Sequence, residues 1–239
     1  PRQDAFLLSS DCGPETTPIQ FVDITQAAGI DFEHYNGFTD EYYYVETFGA
    51  GAAFLDFDND GWLDLYLVNG APLKEKSLDP PPINRLYRNT TTGHFTDVTI
   101  ASNTGHTGYG MGSAVADYDA DGDVDLYITN FGPNLVLRND DGERFSDVTV
   151  STGGGDSRWG TSCGFLDYDL DGDLDLYITN YVDFKREKNI DCSEGGIRSY
   201  CEPQYYEPVR DVLYQNEGGK FVDTTLQVGI TLAGRGLGV

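Results

Sequence analysis

The sequence predicts an all-β protein, a β-propeller built from four-stranded antiparallel blades. Three observations carry that prediction. One aspartate-rich motif occurs three times, beginning at Asp56, Asp117 and Asp167. Two further short elements follow each copy in the same order. Composition also favours strands and turns, with 16 Tyr, 13 Phe, 29 Gly and a single Met in 239 residues.

Each repeat opens with an apolar run, passes through the aspartate loop and continues as Asp-Leu-Tyr. The three copies of that step are Asp64-Leu65-Tyr66, Asp125-Leu126-Tyr127 and Asp175-Leu176-Tyr177. The next element ends in Asn, in Leu86-Tyr-Arg-Asn89, Leu135-Val-Leu-Arg-Asn139 and Leu213-Tyr-Gln-Asn216. The last is Phe95-Thr-Asp-Val-Thr99, Phe145-Ser-Asp-Val-Thr149 and Phe221-Val-Asp-Thr-Thr225. Four strand-like runs per repeat of about 50 residues are the pattern of a propeller blade. Paired helices, the alternative for such a period, are disfavoured by the β-branched and aromatic alternation.

Residues 1–20 read as an N-terminal extension and 21–239 as a partial propeller. Blades are expected at about 46–99, 106–149 and 158–225, with the start of another at 234–239. Phe21-Val-Asp-Ile-Thr25 duplicates the fourth-strand element with no blade before it, so it is expected to be a ring-closing strand. Gly234-Arg-Gly-Leu-Gly-Val239 parallels Gly108-Tyr-Gly-Met-Gly-Ser113, the opening of a blade. Three blades and a stub fall short of the usual four to eight. The expectation is therefore a fragment of a larger ring, of seven blades, with an assembly completed by another chain as the alternative.

The loops follow Asp-x-Asp-x-Asp-Gly-x-x-Asp. So many carboxylates in nine residues repel one another unless a cation neutralises them. Calcium takes six to eight oxygens. Alternate carboxylates and one backbone carbonyl supply them when a Gly permits a sharp turn. The expected ligands are Asp56, Asp58, Asp60, the Trp62 carbonyl and Asp64. In the second loop they are Asp117, Asp119, Asp121, the Asp123 carbonyl and Asp125. In the third they are Asp167, Asp169, Asp171, the Asp173 carbonyl and Asp175. Three Ca2+ ions are expected, at the millimolar levels found outside cells. Mg2+ fits less well because it keeps a water-rich octahedral shell. Solvated acidic turns and catalytic carboxylate pairs are the other readings, and cation-saturated carboxylates make poor acids and bases.

The net charge of −25 argues against nucleic acid and anionic membrane surfaces as partners. No apolar stretch is long enough to span a bilayer. Ala5–Leu8 is too short for a signal-peptide core, so export requires a signal removed from this chain or lying outside it. A Cys192–Cys201 disulfide is expected in an oxidising compartment, with two free thiols in a cytosolic loop as the alternative. Cys163 reads as a buried small hydrophobe; whether Cys12 and Cys163 are free or paired is left open.

These residues resemble a known family. The Asp loop followed by Asp-Leu-Tyr, with Phe48-Gly49 and Asn69-Gly70-Ala71-Pro72, is similar to the FG-GAP (VCBS-type) repeats of integrin α-subunit propellers. Phe131-Gly-Pro133 is a degenerate version of the latter step, and the third repeat has Tyr181-Val182 there. Tyr200-Cys-Glu-Pro203 and the opening Phe21–Thr25 with Ala28-Gly-Ile30 resemble the cartilage-acidic-protein type, whose bacterial members often carry an ASPIC/UnbV-like domain. The resemblance implies an exported, calcium-dependent module for adhesion or protein interaction rather than an enzyme.

In a four-stranded blade the strand 1–2 and 3–4 turns share one face and the 2–3 and 4–1 connections share the other. The long insertions 26–47, 70–83 and 181–211 all fall on the face without Asp loops. Such insertions mark a protein-binding side. Tyr42, Tyr43, Tyr44, Phe184, Tyr200, Tyr205 and Tyr206 lie within them and either contact a partner or pack the loops onto the blades. A carbohydrate-binding propeller is the first alternative function and a calcium-bearing lyase or hydrolase the second. His34, His94 and His106 are available to an enzyme, but no nucleophile–base arrangement is visible. Asn89-Thr-Thr91 is a glycosylation sequon that matters only in a eukaryotic secretory setting.

Overall fold

The computed structural model describes residues 20–74 and 78–239. The 1–20 extension, apart from Gln20, lies outside the described residues, as does Cys12. Three four-stranded antiparallel sheets follow one another along the chain. The first is β1 (Ala52–Leu55), β2 (Asp64–Leu67), β3 (Arg85–Asn89) and β4 (Phe95–Asp97). The second is β5 (Gly110–Ala116), β6 (Asp125–Asn130), β7 (Leu135–Asn139) and β8 (Phe145–Asp147). The third is β9 (Gly160–Leu166), β10 (Asp175–Asn180), β13 (Val212–Asn216) and β14 (Phe221–Asp223). A small hairpin, β11 (Cys192–Glu194) and β12 (Ile197–Ser199), interrupts the third sheet between β10 and β13. Each blade runs in simple order from first strand to fourth. The chain is a partial β-propeller.

Blades stack face to face through apolar side chains from alternate strand positions. Leu55, Tyr66 and Leu86 of the first blade meet Leu126, Ile128 and Phe145 of the second. Tyr127 and Val136 of the second meet Ile178, Val212 and Phe221 of the third. The strand-2 tyrosines are wholly buried in the first two blades and need polar partners there. Tyr66 Oη accepts from Asn84 Nδ2 at 2.9 Å, and Tyr127 Oη donates to the Gly154 carbonyl at 2.7 Å.

First strands lie closest together where glycine removes the side chain. A Cβ on Gly112 would sit 2.8 Å from the Thr161 carbonyl oxygen, and one on Gly51 would sit 3.0 Å from Gly112 Cα. Gly51 and Gly112 therefore set the spacing between successive blades, while the third repeat has Ser162 at the same position. The outer rim repeats as well. Asp97, Asp147 and Asp223 each accept the N–H two residues on, from Thr99, Thr149 and Thr225.

Residues 21–25 form no strand among the described residues, and Phe21 is 96% exposed. Yet Asp23 accepts the Thr25 N–H in the same rim turn. The Phe95 N–H then donates to the Ala28 carbonyl at 2.7 Å. At the other end Gly236 donates to the Asn180 carbonyl at 3.1 Å, as Gly110 donates to that of Asn69 at 3.0 Å.

The three insertions form one cap on the face opposite the Asp loops. Tyr44 stacks on Tyr206 with centroids 5.1 Å apart and shares a 2.9 Å hydroxyl contact with Tyr181. Trp159, Phe48 and Phe184 join the same cluster. Polar contacts lock the insertions together: Arg186 donates to the Leu73 carbonyl, Asn189 to that of Glu41 and Tyr200 to the buried Glu46 carboxylate. Tyr44, Phe184 and Tyr206 are thus packing residues, and Tyr42 lies beneath Arg198. Tyr205 remains 57% exposed. The Cys192–Cys201 disulfide is formed and fastens the hairpin, whose Gly195 and Gly196 both take positive φ. Cys163 is half-buried against the core between the second and third blades, where burial pushes its thiol up to about 12.

Gly112→Val is expected to force the second and third blades apart, costing about 1–3 kcal/mol. A thermal melt should show a loss of roughly 3–10 °C; an unchanged melting temperature would contradict the close-approach argument.

Candidate metal centres

Each strand 1–2 connection is an aspartate loop, and all three fold alike. Gly61, Gly122 and Gly172 at the sixth position have φ of 86°, 100° and 99°. The fourth position is left-handed too, with Asn59 at 56°, Ala120 at 57° and Leu170 at 63°. Asn tolerates that region, whereas Ala and Leu pay roughly 1–2 kcal/mol for it. The left-handed fourth position is retained in every loop, at a cost in two of them, which indicates a geometry imposed by what the loop does.

The first-position carboxylates Asp56, Asp117 and Asp167 accept the N–H of the sixth-position glycine at 2.9, 3.0 and 3.2 Å. Asp60, Asp121 and Asp171 accept the seventh-position N–H, from Trp62, Asp123 and Asp173. These bonds curl the backbone so that the first, third and ninth positions converge. Asp56, Asp58 and Asp64 bring ligand oxygens within 4.8 Å of one another, as do Asp117, Asp119 and Asp125 and then Asp167, Asp169 and Asp175. Each group can hold a metal ion. Asp60, Asp121 and Asp171 stand outside these clusters. None of His34, His94 and His106 belongs to one, and His106 Nδ1 accepts the Gly108 N–H instead.

The ninth-position aspartates are fully buried at the start of the second strand. Each binds two backbone N–H groups. Asp64 takes those of Phe57 and Asn89, Asp125 those of Tyr118 and Asn139, and Asp175 those of Tyr168 and Asn216. Burial pushes the Asp64 carboxyl up to about 6 and that of Asp125 to about 7, and it raises Asp175 and Asp119 as well. Backbone hydrogen bonds to Asp64, Asp125 and Asp175 oppose that rise, while the neighbouring aspartates add to it. A cation would reverse the balance by stabilising the ionised forms.

Two oxygens test the fit. Asp56 Oδ1 and Asp119 Oδ1 are buried without a hydrogen-bond partner. Buried carboxylate oxygens need a donor or a cation, and the all-oxygen donor set suits a hard ion. The clusters also differ. Arg88 brings a guanidinium nitrogen to 2.5 Å from Asp58 and 3.9 Å from Asp60. The corresponding Arg138 turns to Asp140, and Gln215 donates to Asp169 at 2.6 Å.

Several of these residues escape a motif-based reading. Asn139 and Asn216 recur at the end of the third strand, but their contacts with the preceding loop need the packed blades. Asn89 is engaged in the first blade, with its Nδ2 3.0 Å from the Leu63 carbonyl, so a glycan on the sequon would consume that donor.

The fold and its loops define a class: a propeller whose blades each carry an aspartate loop that can hold a metal ion. The FG-GAP-like repeat model matches residues 56–128 and 117–178, and the chain belongs to that family. No curated protein matches the chain.

Arg88→Gln removes a positive charge from the first cluster. Divalent-cation affinity there is expected to rise about fivefold, equivalent to about 1 kcal/mol. Calorimetric titration of the variant checks this, and unchanged or weaker binding would contradict the competition.

Proposed function

We propose that the chain is part of a calcium-stabilised, exported propeller that works as an adhesion-type protein-interaction module. The observation carrying this reading is the aspartate triad with its one fully buried member, repeated with the same backbone in three FG-GAP-like blades. Asp56, Asp58, Asp60, the Trp62 carbonyl and Asp64 would hold the first calcium ion. Asp117, Asp119, Asp121, the Asp123 carbonyl and Asp125 would hold the second. Asp167, Asp169, Asp171, the Asp173 carbonyl and Asp175 would hold the third. Calcium suits them because it accepts more oxygens, and less regular geometry, than magnesium. The ion's role is electrostatic and structural: it joins carboxylates that otherwise repel, at the hinge between first and second strands.

Export is supported by the disulfide and by the match between such loops and millimolar calcium. The cap is the proposed binding side. Its aromatics make it rigid, and Phe38, Ile197 and Tyr205 stand out from it at 61%, 75% and 57% exposure. Exposed apolar side chains on a pre-ordered surface bind at low conformational cost. We further propose residues 21–25 as the outer strand of the neighbouring blade in the ring, on the strength of the repeated Asp23–Thr25 turn.

Calcium at about ten times its dissociation constant adds about 1.4 kcal/mol per filled site, or about 4 kcal/mol for three. Chelation should therefore lower the melting temperature by roughly 10 °C, with recovery in calcium but not magnesium. An unchanged melting temperature would contradict the metal assignment. Ile197→Ser with Tyr205→Ser should abolish capture of a protein partner in calcium while moving the melting temperature by about 1 °C or less. Capture that survives both changes would place the binding surface elsewhere.

A further inference from the structure

The three aspartate clusters are joined in series by hydrogen bonds. Phe57 lies between two members of the first cluster, Asp56 and Asp58. Its N–H donates to Asp64 Oδ2 at 3.1 Å, and its carbonyl accepts Asn139 Nδ2 from the next blade at 2.7 Å. The backbone N–H of the same Asn139 donates to Asp125 Oδ1 at 2.8 Å. Asp125 belongs to the second cluster, and its Oδ2 accepts the Tyr118 N–H at 3.1 Å. The Tyr118 carbonyl accepts Asn216 Nδ2 at 2.7 Å, and the Asn216 N–H donates to Asp175 Oδ1 of the third cluster at 2.8 Å. Phe57, Tyr118, both asparagines and all three ninth-position aspartates are no more than 4% exposed.

We propose that Asn139 and Asn216 couple the clusters, so that divalent cations fill them with positive cooperativity. The inference rests on the calcium reading above. Coupling requires that filling one site lower the cost of ordering the next. A cation that draws Asp56 and Asp58 onto itself fixes the Phe57 peptide between them. The fixed Phe57 carbonyl holds the Asn139 side chain, and the Asn139 N–H orients Asp125. The second cluster then has less freedom to lose when its own cation arrives. Tyr118 and Asn216 pass the effect to the third. Burial favours the relay, because hydrogen bonds in a low dielectric are stronger and polarise one another. Repulsion between bound cations opposes it. With four aspartates in the first loop and five in each of the others, a filled loop remains net negative.

Neither asparagine lies among the clustered ligands, so both are positioning residues. Each also supports its own hairpin: Asn139 Oδ1 accepts the Gly142 N–H, and Asn216 Oδ1 accepts that of Gly219. Asn89 provides the control. It makes the equivalent bonds within its blade, to Asp64, the Leu63 carbonyl and Thr91, with no bond to a preceding loop among the described residues.

The test is calorimetric titration of calcium into the metal-free full chain. Three ions are expected, with a Hill slope above 1 and later steps tighter than independent filling by about fivefold. Asn139→Ala with Asn216→Ala should still bind three ions, with the slope reduced to 1. Asn89→Ala should keep the slope of the unsubstituted chain. Three ions with a slope of 1 in the unsubstituted chain would overturn the coupling and leave the calcium reading intact. An unchanged slope in the double variant would also overturn it. No bound ion would overturn both. If the double variant fails to fold, the slopes of the unsubstituted chain and Asn89→Ala decide the question.

Discussion

Three buried carboxylates, those of Asp64, Asp125 and Asp175, hold each blade together at the point where its loop returns to the sheet. Each accepts one N–H from its own loop and one from the end of the third strand. Removal from water makes their ionised forms costly. Two backbone hydrogen bonds offset part of that cost, and a cation shared with the first- and third-position aspartates would offset more. The loop's other features follow from the same need. Glycine at the sixth position and a left-handed residue at the fourth bend the chain tightly enough to bring the oxygens together.

The two faces of the propeller consequently do different work. On one face the Asp loops and strand 3–4 turns interlock from blade to blade, leaving little freedom for variation. On the other, the insertions are anchored by an aromatic cluster and a disulfide. The anchoring makes their outer surface a stable platform. Loops that would otherwise cost conformational entropy to order are already ordered before anything binds.

Much of the blade architecture is legible in the sequence because each strand repeats with its turn chemistry. Asp-Leu-Tyr marks the second strand, and the Phe-x-Asp element marks the fourth with its rim turn. The aspartate spacing points to the first, third, fifth and ninth positions, of which the fold brings the first, third and ninth together. What the sequence conceals depends on neighbours. Residues 21–25 reproduce the rim turn but make no strand here, because a strand needs a partner to bond with. The insertion aromatics can be read as contacts or as packing, and only the folded cap separates Tyr205 from Tyr44, Phe184 and Tyr206. The left-handed fourth position is disguised by Ala120 and Leu170, which do not favour it. Asn139 and Asn216 recur visibly, but each acts on a loop far back in the chain.

A bound cation would reconcile these crowded carboxylates with a stable fold. Its direct measure is the metal content of the full chain, purified without chelator and equilibrated in calcium, by elemental analysis against protein concentration. Three calcium ions per chain are predicted, one for each cluster. A content below one ion per chain would contradict the assignment and leave the aspartate loops as hydrogen-bonded turns alone.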